Sequence, residues 1–321
     1  MTFTLDPEVA AALAPMGEAM AATTPPAVGD IAGRRAMWEP ILAAASAALP
    51  IPADVTTRDV EIATGDGATI TARWYVKDGA LMKDGAAGPA ALFFHGGGYI
   101  FGHIDQFDGP VSRYASASGV PMLSVEYRRA PEHPYPTPLE DAYAALRWLH
   151  DHAAELGIDP DRIGVMGDSA GGGMAAALTI LTRERGGPKI ARQILLMPML
   201  DDRTTTPDPL IEPFLIWSYD DSLTAWPALL GEAAGGDQVP ATAAPARLSD
   251  AAGLPPAYIE VGQLDVFRDE DIAYAAKLSR AGVDVEFHLH PGVPHEFDSI
   301  APESGVARRA IADRVRALKA L

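Results

Sequence analysis

Residues 163–166 (Ile-Gly-Val-Met) form a short apolar run. From Ala170 the chain takes up a helical apolar spacing through Met174, Leu178 and Leu181, and stops at Gly186-Gly187-Pro188. The turn between the two is Gly167-Asp168-Ser169-Ala170-Gly171, and it can take few shapes. A strand that passes directly into a helix crowds its own backbone, and glycine on either side of the serine removes the side chains that would collide. Such a turn lifts the Ser169 hydroxyl clear of a sheet. It also sets the N–H of Ala170 at a helix N-terminus, where developing negative charge is favoured. A phosphate loop would need Gly-Lys-Ser/Thr here, and a dinucleotide site G-x-G-x-x-G; neither is present.

This unit lies inside a repeated rhythm of strand, loop and helix. Apolar runs at 91–94, 121–125, 190–197, 257–261 and 283–290 alternate with helical patterns at 108–118, 139–149, 269–281 and 303–321. The alternation predicts an α/β fold with a mostly parallel, doubly wound sheet. A hairpin precedes it, with strands at 55–63 and 69–76 joined by Thr64-Gly65-Asp66-Gly67. Residues 1–50 carry two helical patterns, the second with Ile31, Met37, Trp38, Ile41 and Leu42 on one face and an expected break near Pro40. Residues 201–249 interrupt the rhythm with prolines, acids and the aromatics Phe214, Trp217, Tyr219 and Trp226.

The formal net charge of −18 argues against nucleic acid and anionic membrane surfaces as partners. The absence of cysteine excludes disulfides, thiolate catalysis and Cys-based zinc sites. No apolar run reaches the ~20 residues of a membrane span. The first residues are acidic and lack the basic stretch of a secretory signal, so a cytoplasmic location is the expectation.

A serine nucleophile needs a base, and the base needs an orienting group. Of eight histidines, His288 and His290 sit at i, i+2 in a strand, His103 and His133 in loops, and His150 and His152 at a helix end. His295 follows the last strand directly, in Pro291-Gly292-Val293-Pro294-His295, on the edge where ligand-facing loops leave such sheets. Asp265 follows the 257–261 strand in the same way, whereas Asp269, Glu270 and Asp271 suit the first turn of the next helix. The order Ser169, Asp265, His295 is that of the α/β-hydrolase triad. His95-Gly96-Gly97-Gly98-Tyr99 after the first parallel strand lets backbone N–H groups approach an anion, with His95 as an anchor of that loop.

On these motifs the chain resembles the bacterial hormone-sensitive lipase family of α/β-hydrolase esterases, in the branch with Gly-Asp-Ser-Ala-Gly. The matching stretches are His95-Gly96-Gly97-Gly98, Tyr127-Arg128-Arg129-Ala130-Pro131-Glu132-His133-Pro134, Gly167 to Gly172, Asp265-Val266-Phe267-Arg268-Asp269 and His295. They span about residues 55–320. The resemblance implies an α/β-hydrolase fold with an eight-stranded, mostly parallel sheet flanked by helices. It implies core segments at 51–200 and 250–321 and a helical cap assembled from 1–50 and 201–249. It further implies that Gly97, Gly98 and Ala170 donate to an oxyanion. Two positions depart from the family's usual pattern: Arg129 stands where an apolar residue is common, and Glu296 where glycine commonly follows the histidine.

The expected activity is hydrolysis of short- to medium-chain, soluble carboxylic esters through Ser169, His295 and Asp265, with no metal or organic cofactor. Trp38, Tyr99, Phe214 and Trp217 are the expected pocket residues. An amidase on the same fold is the rival among enzymes. A non-catalytic ligand receptor, of the kind plants use for gibberellin, is the rival from another class, and His295 counts against it. The expected partner is a small-molecule ester, and a homodimer is the assembly left open.

Overall fold

The computed structural model describes residues 3–21, 24–49, 51–80 and 86–321. Apolar side chains on both faces of a strand call for cover on both faces. In β3 (Gly88–Phe94), Ala90, Leu92 and Phe94 join one hydrophobic cluster while Ala91 and Phe93 join another. The first cluster is closed by α4 (Thr137–Asp151), α6 (Ala170–Arg185) and α8 (Arg268–Arg280), through Leu146, Met174 and Tyr274 among others. The second is closed by α3 (Asp108–Ser118) and α10 (Gly305–Lys319), through Val111, Tyr114, Ala317 and Leu318.

The remaining strands are β1 (Val55–Ala63), β2 (Thr69–Lys77), β4 (Met122–Val125), β5 (Ile158–Asp168), β6 (Arg192–Leu196), β7 (Ala257–Gly262) and β8 (Val285–His290). They form one eight-stranded sheet in the order β1-β2-β4-β3-β5-β6-β7-β8. The β1–β2 hairpin and the β2–β4 pair are antiparallel, and every pair from β4 to β8 is parallel. The mostly parallel sheet expected from the alternation is therefore present. The order reverses around β3 and β5, and the loops after these two neighbours carry His95–Gly98 and Ser169. That crevice is where open α/β sheets bind ligands.

Two helices precede the sheet, α1 (Pro7–Ala21) and α2 (Ile31–Ala47). The expected break near Pro40 does not occur: α2 runs straight through it. A proline inside a helix removes one donor and crowds the carbonyl four residues back. Pro40 and Ala36 both lie on the exposed face of α2, where water can serve that carbonyl. Within 201–249 the main element is α7 (Tyr219–Leu230), opened by a capping box between Ser218 and Asp221.

Buried Arg34 ties α2 to α7. Its Nε donates to Asp221 at 2.8 Å, its Nη1 to the Ala27 carbonyl at 2.6 Å and its Nη2 to the Asp220 carbonyl at 3.1 Å. The Gly29 N–H also donates to Thr224 Oγ1 at 2.9 Å. Helix α1 packs elsewhere: Val9 clusters with Val293, Phe297, Val306 and Ala310 beside the loop that follows β8. Among the described residues no helix is long and apolar enough to cross a membrane.

Candidate active site

Ser169 occupies the one-residue turn between β5 and α6, with φ 52° and ψ −119°, a conformation that costs a non-glycine residue of order 1–3 kcal/mol. The surroundings enforce it. A Cβ on Gly171 would sit 1.9 Å from the Phe94 carbonyl oxygen, and one on Gly167 would sit 2.3 Å from the Gly171 backbone. Glycine is the residue that fits at both places, so strand and helix can close on each other and push the serine outward. The turn is then fastened by Ser169 N–H to Leu196 O (2.8 Å) and by Met199 N–H to Ser169 O (2.9 Å).

The loop after β8 brings His295 to this serine, with Nε2 3.0 Å from Ser169 Oγ. His295 Nδ1 lies 2.7 Å from Asp265 Oδ2, at the end of β7. The second oxygen of Asp265 accepts the Phe267 N–H at 3.0 Å, which restrains the carboxylate from a second direction. All three side chains are buried: Ser169 is 3% exposed, His295 4% and Asp265 0%. Burial pulls the His295 pKa down, but the Asp265 charge and hydrogen bond outweigh it, with help from Glu296 and Asp298, so it ends above the ordinary 6.5. The imidazole and the Phe267 ring also pack in a T-shaped arrangement, with ring centroids 5.3 Å apart.

Opposite Ser169 runs the glycine loop. Gly97, Gly98 and Tyr99 follow one another at φ 111°, 59° and 62°, which turns successive peptide planes toward the crevice. A Cβ on Gly97 would strike the Phe101 carbonyl at 2.3 Å. His95 is fully buried, stacks on Tyr127 at 4.3 Å and donates through Nδ1 to the Gly96 carbonyl, 2.7 Å away. Burial pushes its pKa down to about 3, so it is a neutral ring that fixes the loop. Ala170 is the first residue of α6, where the N–H has no acceptor within the helix.

A cavity of about 210 Å³ opens onto Ser169, His295, Gly96 and Gly97. Trp38 and Trp217 line it. Two expected pocket residues do not. Tyr99 is buried at 4% exposure and packs against Trp226 at 6.2 Å, because its own left-handed backbone turns the ring beneath the loop. Phe214 sits half-buried on the short helical turn Glu212–Phe214, outside the lining. Ile216 takes its place, and Phe101, Phe107, Ile41 and Leu42 complete an apolar wall that the sequence reading did not single out. Phe101 alone carried a local signal, since it closes the turn opened by the glycines. Among the described residues no cluster of three or more His, Asp or Glu side chains is placed to hold a metal ion.

The arrangement can take a proton from an alcohol, hold an anion at backbone N–H groups and keep an apolar chain out of water. Comparison with known proteins agrees with that chemistry. Residues 91–299 match the family described as alpha/beta hydrolase fold. Esterase LipI of Mycobacterium tuberculosis is 40% identical over 241 residues, covering 74% of this chain and 73% of that protein. Carboxylesterase NlhH of the same organism is 38% identical over 235 residues, covering 72% and 73%. The solved structure of a bacterial heroin esterase superposes with a TM-score of 0.86 at 36% identity, covering 99% of this chain and 98% of that one. This chain belongs to the α/β-hydrolase family, among its bacterial esterases of the hormone-sensitive lipase type.

Proposed function

We propose that this carboxylesterase-type enzyme hydrolyses short- to medium-chain esters with Ser169 as nucleophile, His295 as general base and acid, and Asp265 as the group that orients and stabilises the imidazole. The observation that carries the reading is the unbroken relay from Asp265 Oδ2 through His295 to Ser169 Oγ, at 2.7 and 3.0 Å, opening into an apolar cavity. As Ser169 Oγ attacks the ester carbonyl carbon, its proton passes to His295 Nε2. The carbonyl oxygen becomes an oxyanion beside the N–H groups of Gly97, Gly98 and Ala170. The tetrahedral species collapses when the imidazolium returns that proton to the departing alkoxide, leaving an acyl-Ser169. Water repeats the sequence from the other side: His295 takes its proton, hydroxide adds to the acyl carbon, and Ser169 regains its hydrogen as the carboxylic acid leaves.

Several features support the rest of the assignment. The small, largely apolar cavity suits an acyl chain of modest length. The Arg34–Asp221 tie joins residues 1–50 to 201–249 and fits a cap built from both. The cysteine-free, acidic chain is compatible with a cytoplasmic enzyme acting on dissolved small esters. The test is an ester-mimicking organophosphonate followed by peptide mass spectrometry. One adduct per chain on the Ser169 peptide, absent in Ser169→Ala, is the expected result; labelling elsewhere, or none, would overturn the assignment.

A further inference from the structure

Behind the ester cavity lies a second chamber of about 350 Å³. The two share Leu49, Phe107, Pro110, Glu296 and Ser299 as a common wall. Most of the second chamber is apolar, with Phe93, Tyr114 and Met197 among its walls. Its charged residues are not balanced. Arg314 is already matched by Glu260, at 2.7 Å from its Nε, and by Asp298. Arg113 lines the outer end from the exposed side of α3. Among the described residues no Arg or Lys forms an ion pair with Asp168 or Glu296; the Glu296 side chain accepts from Ser299 Oγ at 3.1 Å.

Asp168 is the unusual group. It is 7% exposed, it lines the chamber, and its Oδ1 has no hydrogen-bond partner. Buried carboxylates that serve structure alone are normally satisfied. It also sits close to the chemistry. A Cβ on Gly96 would lie 3.3 Å from Ser169 Cβ and 3.6 Å from Asp168 Cγ, so nucleophile and carboxyl flank the same glycine. Glu296 reaches both cavities from the residue after the base, and its φ of 56° is the left-handed backbone that glycine would adopt without cost. Burial and the neighbouring Glu296 charge hold Asp168 well above the usual carboxyl range. Burial and Asp298 raise Glu296 as well, against the pull of His295. A cation in this chamber would favour the charged form of both carboxyls.

We propose that the second chamber is a subsite for a protonated amine carried by the ester, with Asp168 and Glu296 accepting its hydrogen bonds, so that the preferred substrates are small amino esters. The proposal rests on the ester-hydrolase reading above and names its substrate class. The aromatic walls suit the alkyl groups and the positive charge of an amine, and the Gly96 geometry leaves only a few bonds between that amine and the ester carbonyl.

The test compares matched esters at a pH where the amine is protonated. A dimethylaminoalkyl acetate is set against its branched-alkyl acetate isostere, and a methyl dimethylaminoalkanoate against its branched-alkanoate isostere. With the wild-type protein, kcat/KM favours the amine in at least one pair by roughly tenfold or more, the scale of hydrogen bonds to a charged group. Asp168→Asn and Glu296→Gln bring that ratio toward one. A preference for the neutral ester in both pairs, or an amine preference that survives both substitutions, overturns the proposal. A binding measurement separates the two readings and uses protein that need not turn over: calorimetric titration of Ser169→Ala with a dimethylalkylammonium ion. Ammonium binding that depends on Asp168, beside a wild type that turns over no ester, would keep the subsite and remove the esterase reading. Turnover of neutral esters with neither ammonium binding nor amine preference would do the reverse. If either carboxamide variant does not fold, competitive inhibition of the wild type by the same ammonium ion, measured against a neutral alcohol of equal size, still decides.

Discussion

The indole of Trp217 lies directly on Gly98: a Cβ built on that glycine would sit 2.2 Å from Trp217 Cη2 and 2.8 Å from Cζ2. Trp217 cannot give way easily, because it is 4% exposed and its Nε1 donates to Ser222 Oγ on α7 at 3.0 Å. The glycine loop is therefore clamped by the segment that covers it. We expect Gly98→Ala to shift the loop N–H groups and reduce kcat by about 10²–10³, the loss typical of one oxyanion donor. If the clash is the cause, Trp217→Ala in the same chain should restore part of kcat. Steady-state kinetics on both variants and the double variant decide; no recovery would leave the positive φ of Gly98 (59°) as the sole constraint.

Ser169 offers a sharper separation of stability from activity. Both Ser169→Ala and Ser169→Gly remove the nucleophile, so kcat should fall by up to about a million-fold in each, as in other serine hydrolases. Their stabilities should differ. Alanine keeps the strain of φ 52°, ψ −119° and glycine releases it. The glycine variant should melt higher than the alanine variant by about 1–2 °C per kcal/mol of released strain, given an unfolding entropy of about 2.1 cal/mol/K per residue. Equal melting temperatures would mean that the strain released is no larger than the roughly 0.5–1 kcal/mol of extra chain entropy that glycine loses on folding.

The residues proposed as the triad were legible in the sequence because each lies at or in the loop leaving a strand end, after Asp168, Gly262 and His290, and a parallel sheet delivers such positions to one edge. The pocket was less so. Its walls come from α2, the glycine loop, the turn before α3 and the segment before α7, which share no periodicity. Tyr99 illustrates the difficulty: next to the glycines in the chain, it is turned beneath the loop by a backbone angle that composition does not reveal. Phe214 and Ile216 are two residues apart, yet Ile216 lines the cavity and Phe214, on the surface turn Glu212–Phe214, does not. Pro40 misled for the opposite reason, since a local helix breaker was overridden where its cost falls on the exposed face of α2.

The pH profile should carry the signature of the base. His295 must be neutral to accept the Ser169 proton, and its pKa lies above 6.5. Hydrolysis of a neutral ester should therefore rise with pH along a limb whose midpoint is above 6.5. Glu296 is among the charges that stabilise the imidazolium, so Glu296→Gln should move this limb to lower pH. A limb that stays in place would assign the raised pKa to Asp265 and Asp298 alone.

The Arg34–Asp221 pair is buried at both ends, with side chains 1% and 9% exposed. Removing one partner of such a pair costs about 3–5 kcal/mol, because the other charge is stranded. Arg34→Ala should therefore loosen α2 from α7 and raise KM more than it lowers kcat. Limited proteolysis would show early cleavage within 24–30 or 201–218, ahead of the sheet. Unchanged KM and uniform cleavage would mean that the two segments do not act together over the site.

Chain-length preference tests the cavity itself. Trp38 stacks on Phe101 at 6.3 Å and 16°, and together they form one end of the space of about 210 Å³ above Ser169. In a series of p-nitrophenyl esters from acetate to palmitate, the wild type should peak among the short to medium chains. Trp38 is nearly buried at 9% exposure, so Trp38→Ala removes wall rather than decoration. The optimum should then move toward longer acyl chains, while the shortest esters lose affinity through poorer packing. The variant should also lose some stability, since truncating a buried tryptophan to alanine costs about 3–5 kcal/mol in a closed core and less beside an open cavity. An optimum at palmitate in the wild type, or one that Trp38→Ala leaves unmoved, would mean that the acyl chain lies elsewhere, with the chamber bounded by Asp168 and Glu296 as the next place to look.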